Sequence, residues 1–376
     1  MKAPTMSRRE LFAAMLATPS LAAPALAAGP VAIEKCPSYD QDQVALLNGM
    51  FDKIGGLERL VKGKTVTVKV NLTGSPALKF QGKALGATHY THPKQIGAFA
   101  FLAHKAGARR IRFVESAWGT AGPLSEYMLD SGWNVRQLLA AAPNVEFVNT
   151  NGIGIYQKYA KFQTPGGGWI FPSYVLNKIY EETDVLVSMA KMKNHATCGV
   201  TLAMKNIFGI TPSSIYGDDA GVDEPNENPT LGRAAVCHAG KRQPARIAEP
   251  EKDPSSIRES FTRMPRIVAE LNAARPIGIS IIDGIETVTG GEGPWIRGLA
   301  HVKPGVMIVG ANAVNTDAVA TAVMGYDPRA ARGAGAFAKC DNQFLLAETL
   351  GVGSADLKRI EVRGVSIPDA MFRFPG

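Results

Sequence analysis

Two periods of apolar residues alternate along this chain. Over residues 40–60, Val44, Leu46, Leu47, Met50, Phe51 and Ile54 recur at helical spacing and stop at Gly55-Gly56, which predicts an amphipathic helix. Thr65-Val-Thr-Val-Lys-Val70 alternates with period two, the mark of a strand, and ends at Asn71. Pro93 suits the first turn of a helix over 94–106, with His92 or Thr91 as its cap and Ile96, Phe99, Phe101 and Leu102 as its packing face. A strand over 110–114, a helical stretch over 124–139 and a strand over 145–148 follow. Residues 149–172 read as a polar loop or hairpin turning at Gly166-Gly167-Gly168, and Ser173 is expected to cap a helix reaching Glu181. Val185 to Met189 is then a short apolar run, read as a buried strand.

Strands alternating with helices predict an α/β fold, a mostly parallel sheet with helices on both faces. The pattern breaks after Gly209. Residues 211–256 are rich in Gly, Pro, Asp, Glu and Asn and predict a long irregular insertion, a candidate lid. Order returns with a helix over 260–274, strands over 276–282 and 306–309, a helix to Met324 that carries Asp317, a helix over 342–350 and a strand over 360–362. The expected organisation is a leader over 1–27 followed by one α/β domain over 35–376.

The leader rests on three features in order. Lys2, Arg8 and Arg9 make a basic start within Ser7-Arg8-Arg9-Glu10-Leu11-Phe12, which resembles the twin-arginine export motif. An alanine-rich apolar stretch follows, then the small-residue cleavage pattern Ala25-Leu26-Ala27. The expectation is export by the twin-arginine machinery to the periplasm or beyond, with no integral membrane segment after leader removal. The formal net charge of +8 is mild, and the basic residues are scattered without aromatic interleaving. That balance favours small anionic ligands over nucleic acid. The four cysteines, Cys36, Cys198, Cys237 and Cys340, lie far apart without C-x-x-C spacing, so no iron–sulfur cysteine motif is present. Cys198, three residues past His195, is a candidate thiol ligand or nucleophile or else a small core residue.

Chemistry gathers where apolar strands stop. Asn71, then Glu115, then Lys191, Lys193 and His195, then Asp283 and Glu286 each follow such a run. Ligands of open parallel sheets bind outside the carboxyl ends of the strands, so these groups are expected to face one cleft. Lys191, Lys193, His195 and Lys205 are the candidate catalytic groups, since cations at a buried strand end need an anionic partner or a lowered pKa. Asn71, His92 and Asn206 are candidates for binding a ligand or cofactor. Glu115, His195, Asp283 and Glu286 offer oxygen and nitrogen donors for a divalent metal, although no H-E-x-x-H or comparable motif fixes a set. His238, Asp218-Asp219 and the Gly290-Gly291-Glu292-Gly293 loop are expected near the same mouth, whereas His104 is expected to be structural. Neither a phosphate-binding P-loop nor a dinucleotide fingerprint occurs.

These residues resemble the DUF362 family, domains of unknown function. The likeness rests on Thr91-His92-Pro93 and on Val187-Ser-Met-Ala-Lys-Met-Lys-Asn-His195 with Gly199-Val-Thr-Leu-Ala-Met-Lys-Asn-Ile-Phe-Gly209. Ile282-Asp283-Gly284-Ile285, Gly291-Glu292-Gly293-Pro294, Asn315-Thr-Asp317 and Met324-Gly325-Tyr326-Asp327-Pro328 complete it, over roughly residues 64–364. Relatives often carry an attached iron–sulfur module, and this chain lacks its cysteine spacing. The resemblance implies a fold and a site location rather than a reaction. Three functions fit: a metal- or anion-dependent enzyme on a small anionic substrate, a non-catalytic periplasmic binding or cofactor-carrying protein, and a redox accessory protein.

Overall fold

The computed structural model describes residues 29–152 and 158–375. The expected leader over 1–27 lies outside the described residues. The strands are β1 (Val31–Lys35), β2 (Thr65–Lys69), β3 (Arg110–Glu115), β4 (Val145–Asn149), β5 (Tyr159–Gln163), β6 (Ser173–Asn177) and β7 (Val185–Lys191). Further on come β8 (Asn194–His195), β9 (Gly199–Val200), β10 (Ile279–Gly284), β11 (Thr287–Thr289), β12 (Ala300–Val302), β13 (Val306–Gly310) and β14 (Val362–Gly364). The principal helices are α1 (Gln43–Lys53), α2 (Leu57–Val61), α3 (Pro93–Lys105), α4 (Leu124–Asp130) and α5 (Val135–Leu139), then α6 (Leu202–Asn206), α7 (Ser260–Ala274), α8 (Ala313–Val323) and α9 (Gln343–Thr349).

Eight strands form the central sheet in the order β14-β1-β13-β10-β7-β2-β3-β4. Every neighbouring pair is parallel except those of β13, which runs against both β1 and β10. The expected α/β class holds, with one reversed strand. Pleating divides the sheet's apolar side chains between two cores. Val66, Val68, Phe113, Val187 and Ile281 meet Leu47 of α1, Leu57 of α2, Phe99 of α3, Tyr127 of α4 and Leu138 of α5. On the other face, Val114, Leu186, Ile282 and Ile308 meet Met204 of α6, Val268 of α7, Val319 of α8 and Phe344 of α9.

Several local expectations need correction. Ser173 opens strand β6 rather than a helix, because Ser173–Asn177 pairs antiparallel with Tyr159–Gln163 as the second arm of a hairpin. The loop expected over 149–172 contains the first arm, and its residues 153–157 lie outside the described residues. The helical stretch over 124–139 is broken into α4 and α5 around Gly132, whose φ of 79° the helix cannot continue through. Phe101 is 38% exposed and lies outside the α3 packing face. His92 does cap α3, its ring accepting from the Lys94 N–H, and Pro93 follows in the first turn.

Residues 211–256 are mostly irregular, with short helical turns at Ser213–Tyr216 and Ala234–His238. They pack as part of the body: Val236, Cys237, Ala245 and Ala248 are buried in the core that contains α7. Glu251 in this segment is buried against Arg263 of α7 at 2.6 Å and also pairs with Arg258. Among the described residues no helix is long and apolar enough to cross a membrane. All four cysteines are free and buried.

Candidate functional site

β10, β7, β2, β3 and β4 are successive parallel neighbours, so their carboxyl ends lie side by side along one edge of the sheet. Asn71, Glu115, Lys191, Lys193 and Asp283 leave the sheet there. The edge is not one cleft. Its polar residues divide into a sealed cluster and an open one.

The sealed cluster is built on Lys191 and Asp283, both 0% exposed and 2.8 Å apart. The Lys191 ammonium also donates to the Tyr39 hydroxyl and to the Gly86 carbonyl, each at 2.5 Å, so its three protons are used. Tyr39 in turn donates to the Asp283 carboxylate at 2.8 Å, and Asp283 accepts from the Ile285 N–H. His92 stacks on the Tyr39 ring at 3.6 Å between centroids. Burial first, then the Asp283 charge, pushes the Tyr39 hydroxyl well above its usual range, so it stays a proton donor. Burial holds His92 down to about 3 and therefore neutral.

Two residues beyond Lys191, Lys193 lines a cavity of about 400 Å³, within the size range of small-ligand pockets. Lys69, Asn71, Glu115, His195, Lys205, Asn206, Arg233, His238 and Glu292 share that lining. Lys69 sits on β2 opposite in pleat to Val66 and Val68, and so on the α6 side of the sheet. It pairs with Glu115 at 2.7 Å and donates to Asn206 Oδ1 at 3.2 Å. Gly209 permits this pair, since a Cβ there would lie 2.6 Å from Lys69 Nζ and 2.7 Å from Glu115 Oε1. Lys193 donates to Asn71 Oδ1, the His89 carbonyl and the Glu292 carbonyl at 2.9–3.1 Å.

Lys205 differs from the other lysines. Its Nζ lies 4.4 Å from the Phe208 ring centroid, and the Arg233 guanidinium approaches the same ring at 5.1 Å. Arg233 donates to the Thr211 carbonyl. Among the described residues, neither Lys205 nor Arg233 has a carboxylate at ion-pair distance, and Lys205 has no hydrogen-bond acceptor. The short helix α6 that presents Lys205 is fixed by Asp317 of α8, which accepts from the Ala203 and Met204 N–H groups at 2.9 and 2.7 Å. Leu202 enters that helix at φ 45°, a left-handed conformation costly for a branched apolar residue. Asn206 donates to the Lys69 carbonyl and to Ser188 Oγ, tying α6 to β2 and β7.

Burial sets the protonation of this site. It lowers Lys193 to about 7, against the Glu292 charge that favours the ammonium, and it lowers Lys69, Lys205 and Arg233 from their ordinary values. His195 falls well below 6.5 and His238 to about 3, so both imidazoles are neutral at pH 7. His195 Nδ1 accepts from the Thr197 N–H at 3.1 Å, which leaves the ring proton on Nε2. Four cations and two carboxylates, Glu115 and Glu292, line one volume with two neutral imidazoles. The excess of positive charge suits an anion.

Several expected residues lie elsewhere. The four proposed metal donors are not brought together: Asp283 is held by Tyr39 and Lys191, and Glu115 by Lys69 and the Leu72 N–H. Glu286 faces His301 and Lys303, each at 3.2 Å. His195 alone of the four is uncommitted to a cation, and no set of three or more His, Cys, Asp or Glu donors occurs among the described residues. Lys191 and His92 belong to the sealed cluster. Asp218 and Asp219 bind the Ala235 N–H and Thr230 within the insertion rather than lining the cavity. Burial pushes the Cys198 thiol up to about 12, which removes it as a nucleophile near neutrality. Sequence reasoning missed Lys69, Arg233, Phe208, Trp118 and Trp295. Lys69 alone carried a signal, as a lysine on an otherwise apolar and threonine-bearing strand.

Comparison with known proteins adds the following. The model of the family described as a domain of unknown function, DUF362, matches residues 66–322. A thylakoid-associated protein of Synechocystis sp. is 26% identical over 187 residues, covering 49% of this chain and 51% of that protein. The chain thus spans about half the length of this curated relative. Among solved structures, the lactate racemase apoprotein of Thermoanaerobacterium thermosaccharolyticum matches with a TM-score of 0.35 at 13% identity, covering 74% of this chain and 54% of the other. A Thermotoga maritima protein matches with a TM-score of 0.35 at 15% identity, covering 72% and 56%.

Proposed function

The chain belongs to the DUF362 family, and from that premise we propose that it is an enzyme acting on a small anionic substrate held at the carboxyl ends of β2, β3 and β7. The observation that carries this reading is Lys205, a buried amine that lines the cavity and has neither an acceptor nor a paired carboxylate among the described residues. Its lowered pKa and its freedom from hydrogen-bond acceptors among the described residues suit it to take and return a proton, whereas the Lys193 ammonium points its protons at three oxygens. In this reading Arg233 and Lys193 hold the substrate's negative charge, and His195 donates from Nε2 as a neutral hydrogen-bond partner. Asn71 and Asn206 position Lys193 and Lys69 through their side-chain oxygens.

An anionic amine reagent tests the assignment. At pH 8, trinitrobenzenesulfonate is expected to modify Lys205 faster than the ion-paired buried lysines Lys69 and Lys191, and inorganic phosphate is expected to protect it. Peptide mapping by mass spectrometry reads both effects. Phosphate binding with an unreactive Lys205 would favour a carrier without turnover; modification that phosphate does not slow would sink the pocket assignment. We further infer that residues 1–27 direct export by the twin-arginine route, on the strength of Arg8-Arg9 and the Ala25-Leu26-Ala27 pattern. An intact mass of periplasmic protein that still includes residues 1–27 would refute it.

A further inference from the structure

The cationic floor of the cavity accounts for only part of its lining. Leu78, Trp118 and Trp295 also border it, and they are 43%, 45% and 42% exposed. Single exposed apolar side chains are ordinary, but here three of them come from three separate loops to one mouth. Leu78 lies in the loop after β2, Trp118 in the loop after β3, and Trp295 beyond the glycine-rich loop that holds Glu292.

The indoles are fixed in place rather than loosely displayed. Trp295 lies directly on two glycines, since a Cβ at Gly74 or at Gly293 would come within 2.3 Å of its ring carbons. Its indole N–H donates to Glu292 Oε1 at 3.2 Å, and its ring meets His89 edge-on at 6.0 Å. Trp118 is set against Gly232, where a Cβ would lie 3.2 Å from the indole nitrogen, next to Arg233. Each ring is thus held on one side by backbone and left open on another.

A bare inorganic anion would satisfy Lys205 and Arg233 and leave this rim in water. We propose that the ligand is an anion carrying a flat apolar body, its charged end on Lys205 and Arg233 and its body against Trp118, Trp295 and Leu78. Aryl carboxylates and aryl phosphates share this chemistry. The inference rests on the anion-pocket reading and specifies its substrate class. Rigid aromatic side chains lose little conformational entropy when they bind a flat group, and stacking on an indole adds to the area buried.

Calorimetric titration with two matched pairs tests it: phenyl phosphate against inorganic phosphate, and benzoate against acetate. In at least one pair the aryl member is expected to bind about ten-fold tighter or better, the size of one good aromatic stack. The pair showing the gain identifies the head group. In Trp118→Ala and Trp295→Ala that ratio is expected to collapse toward one. Binding of the simple anions with no aryl gain in either pair, or a gain that survives both tryptophan variants, overturns this inference and leaves the anion pocket standing. Failure of all four compounds to bind overturns the pocket reading and this inference together.

Discussion

Lys191 and Lys193 leave the same strand two residues apart, and both are fully buried. Lys191 ends in an ion pair with Asp283, closed over by Tyr39 and the stacked His92, and it does not line the cavity that Lys193 enters. Lys193 ends at a cavity where two of the other three cations, Lys205 and Arg233, have no carboxylate partner among the described residues. The difference separates two uses of a buried lysine. Lys191, matched by a carboxylate and two further acceptors away from the cavity, serves the fold, and removing one member leaves an uncompensated charge in the interior. In the proposed reading, the excess of charge around a volume open to solutes is held ready for a ligand.

Substitutions on either side test that division. The largest effect is expected from Asp283→Ala, which strands Lys191. Chemical denaturation should show a loss of about 3–5 kcal/mol, with the cavity's anion affinity within about two-fold of the parent if the clusters are independent. A stability change below about 1 kcal/mol would mean that the sealed cluster is not the structural pair described. Next in size is Gly209→Ala, which drives a methyl group into the Lys69–Glu115 pair. A loss of about 1–3 kcal/mol is expected, accompanied here by weaker anion binding because that pair lines the cavity. Unchanged binding would place Lys69 and Glu115 outside the functional volume.

The smallest effect concerns pH. With sulfate as the probe, whose charge is constant near neutrality, affinity is expected to be highest below about 7, where Lys193 is protonated. It should fall roughly three- to ten-fold by pH 8.5 as that ammonium loses its proton. The sign follows from the cation: protonated Lys193 attracts sulfate and neutral Lys193 does not. Isothermal titration at several pH values reads the trend, and affinity rising with pH would exclude Lys193 from the anion site.

Much of this was legible in the sequence because strand runs and the residues that end them are local. Val185 to Met189 and Thr65 to Val70 announce strands, and Asn71, Glu115, Lys193 and Asp283 announce their polar exits. Direction and partnership are not local. The run over 306–309 reads as one more strand, and nothing in it reveals that β13 runs against its neighbours. Lys191 and Lys193 look equivalent until Tyr39, 152 residues before Lys191, closes over one of them. Arg233 escaped notice because it lies in a glycine- and proline-rich segment without periodicity, where its packing against Phe208 leaves no pattern. The expected metal set failed to assemble for a similar reason. Glu115, Asp283 and Glu286 each lie near a cation that the fold, rather than the sequence, brings to them.

The most direct test compares Lys205→Met with Asp283→Ala by calorimetric titration with inorganic phosphate at pH 6.5, alongside their denaturation curves. Lys205→Met is expected to lose about 10- to 100-fold in phosphate affinity while its stability stays within about 1 kcal/mol of the parent. Asp283→Ala is expected to show the reverse, a large stability loss with affinity nearly intact. Equal phosphate affinity in Lys205→Met and the parent chain would contradict the claim that the open cluster is the anion site.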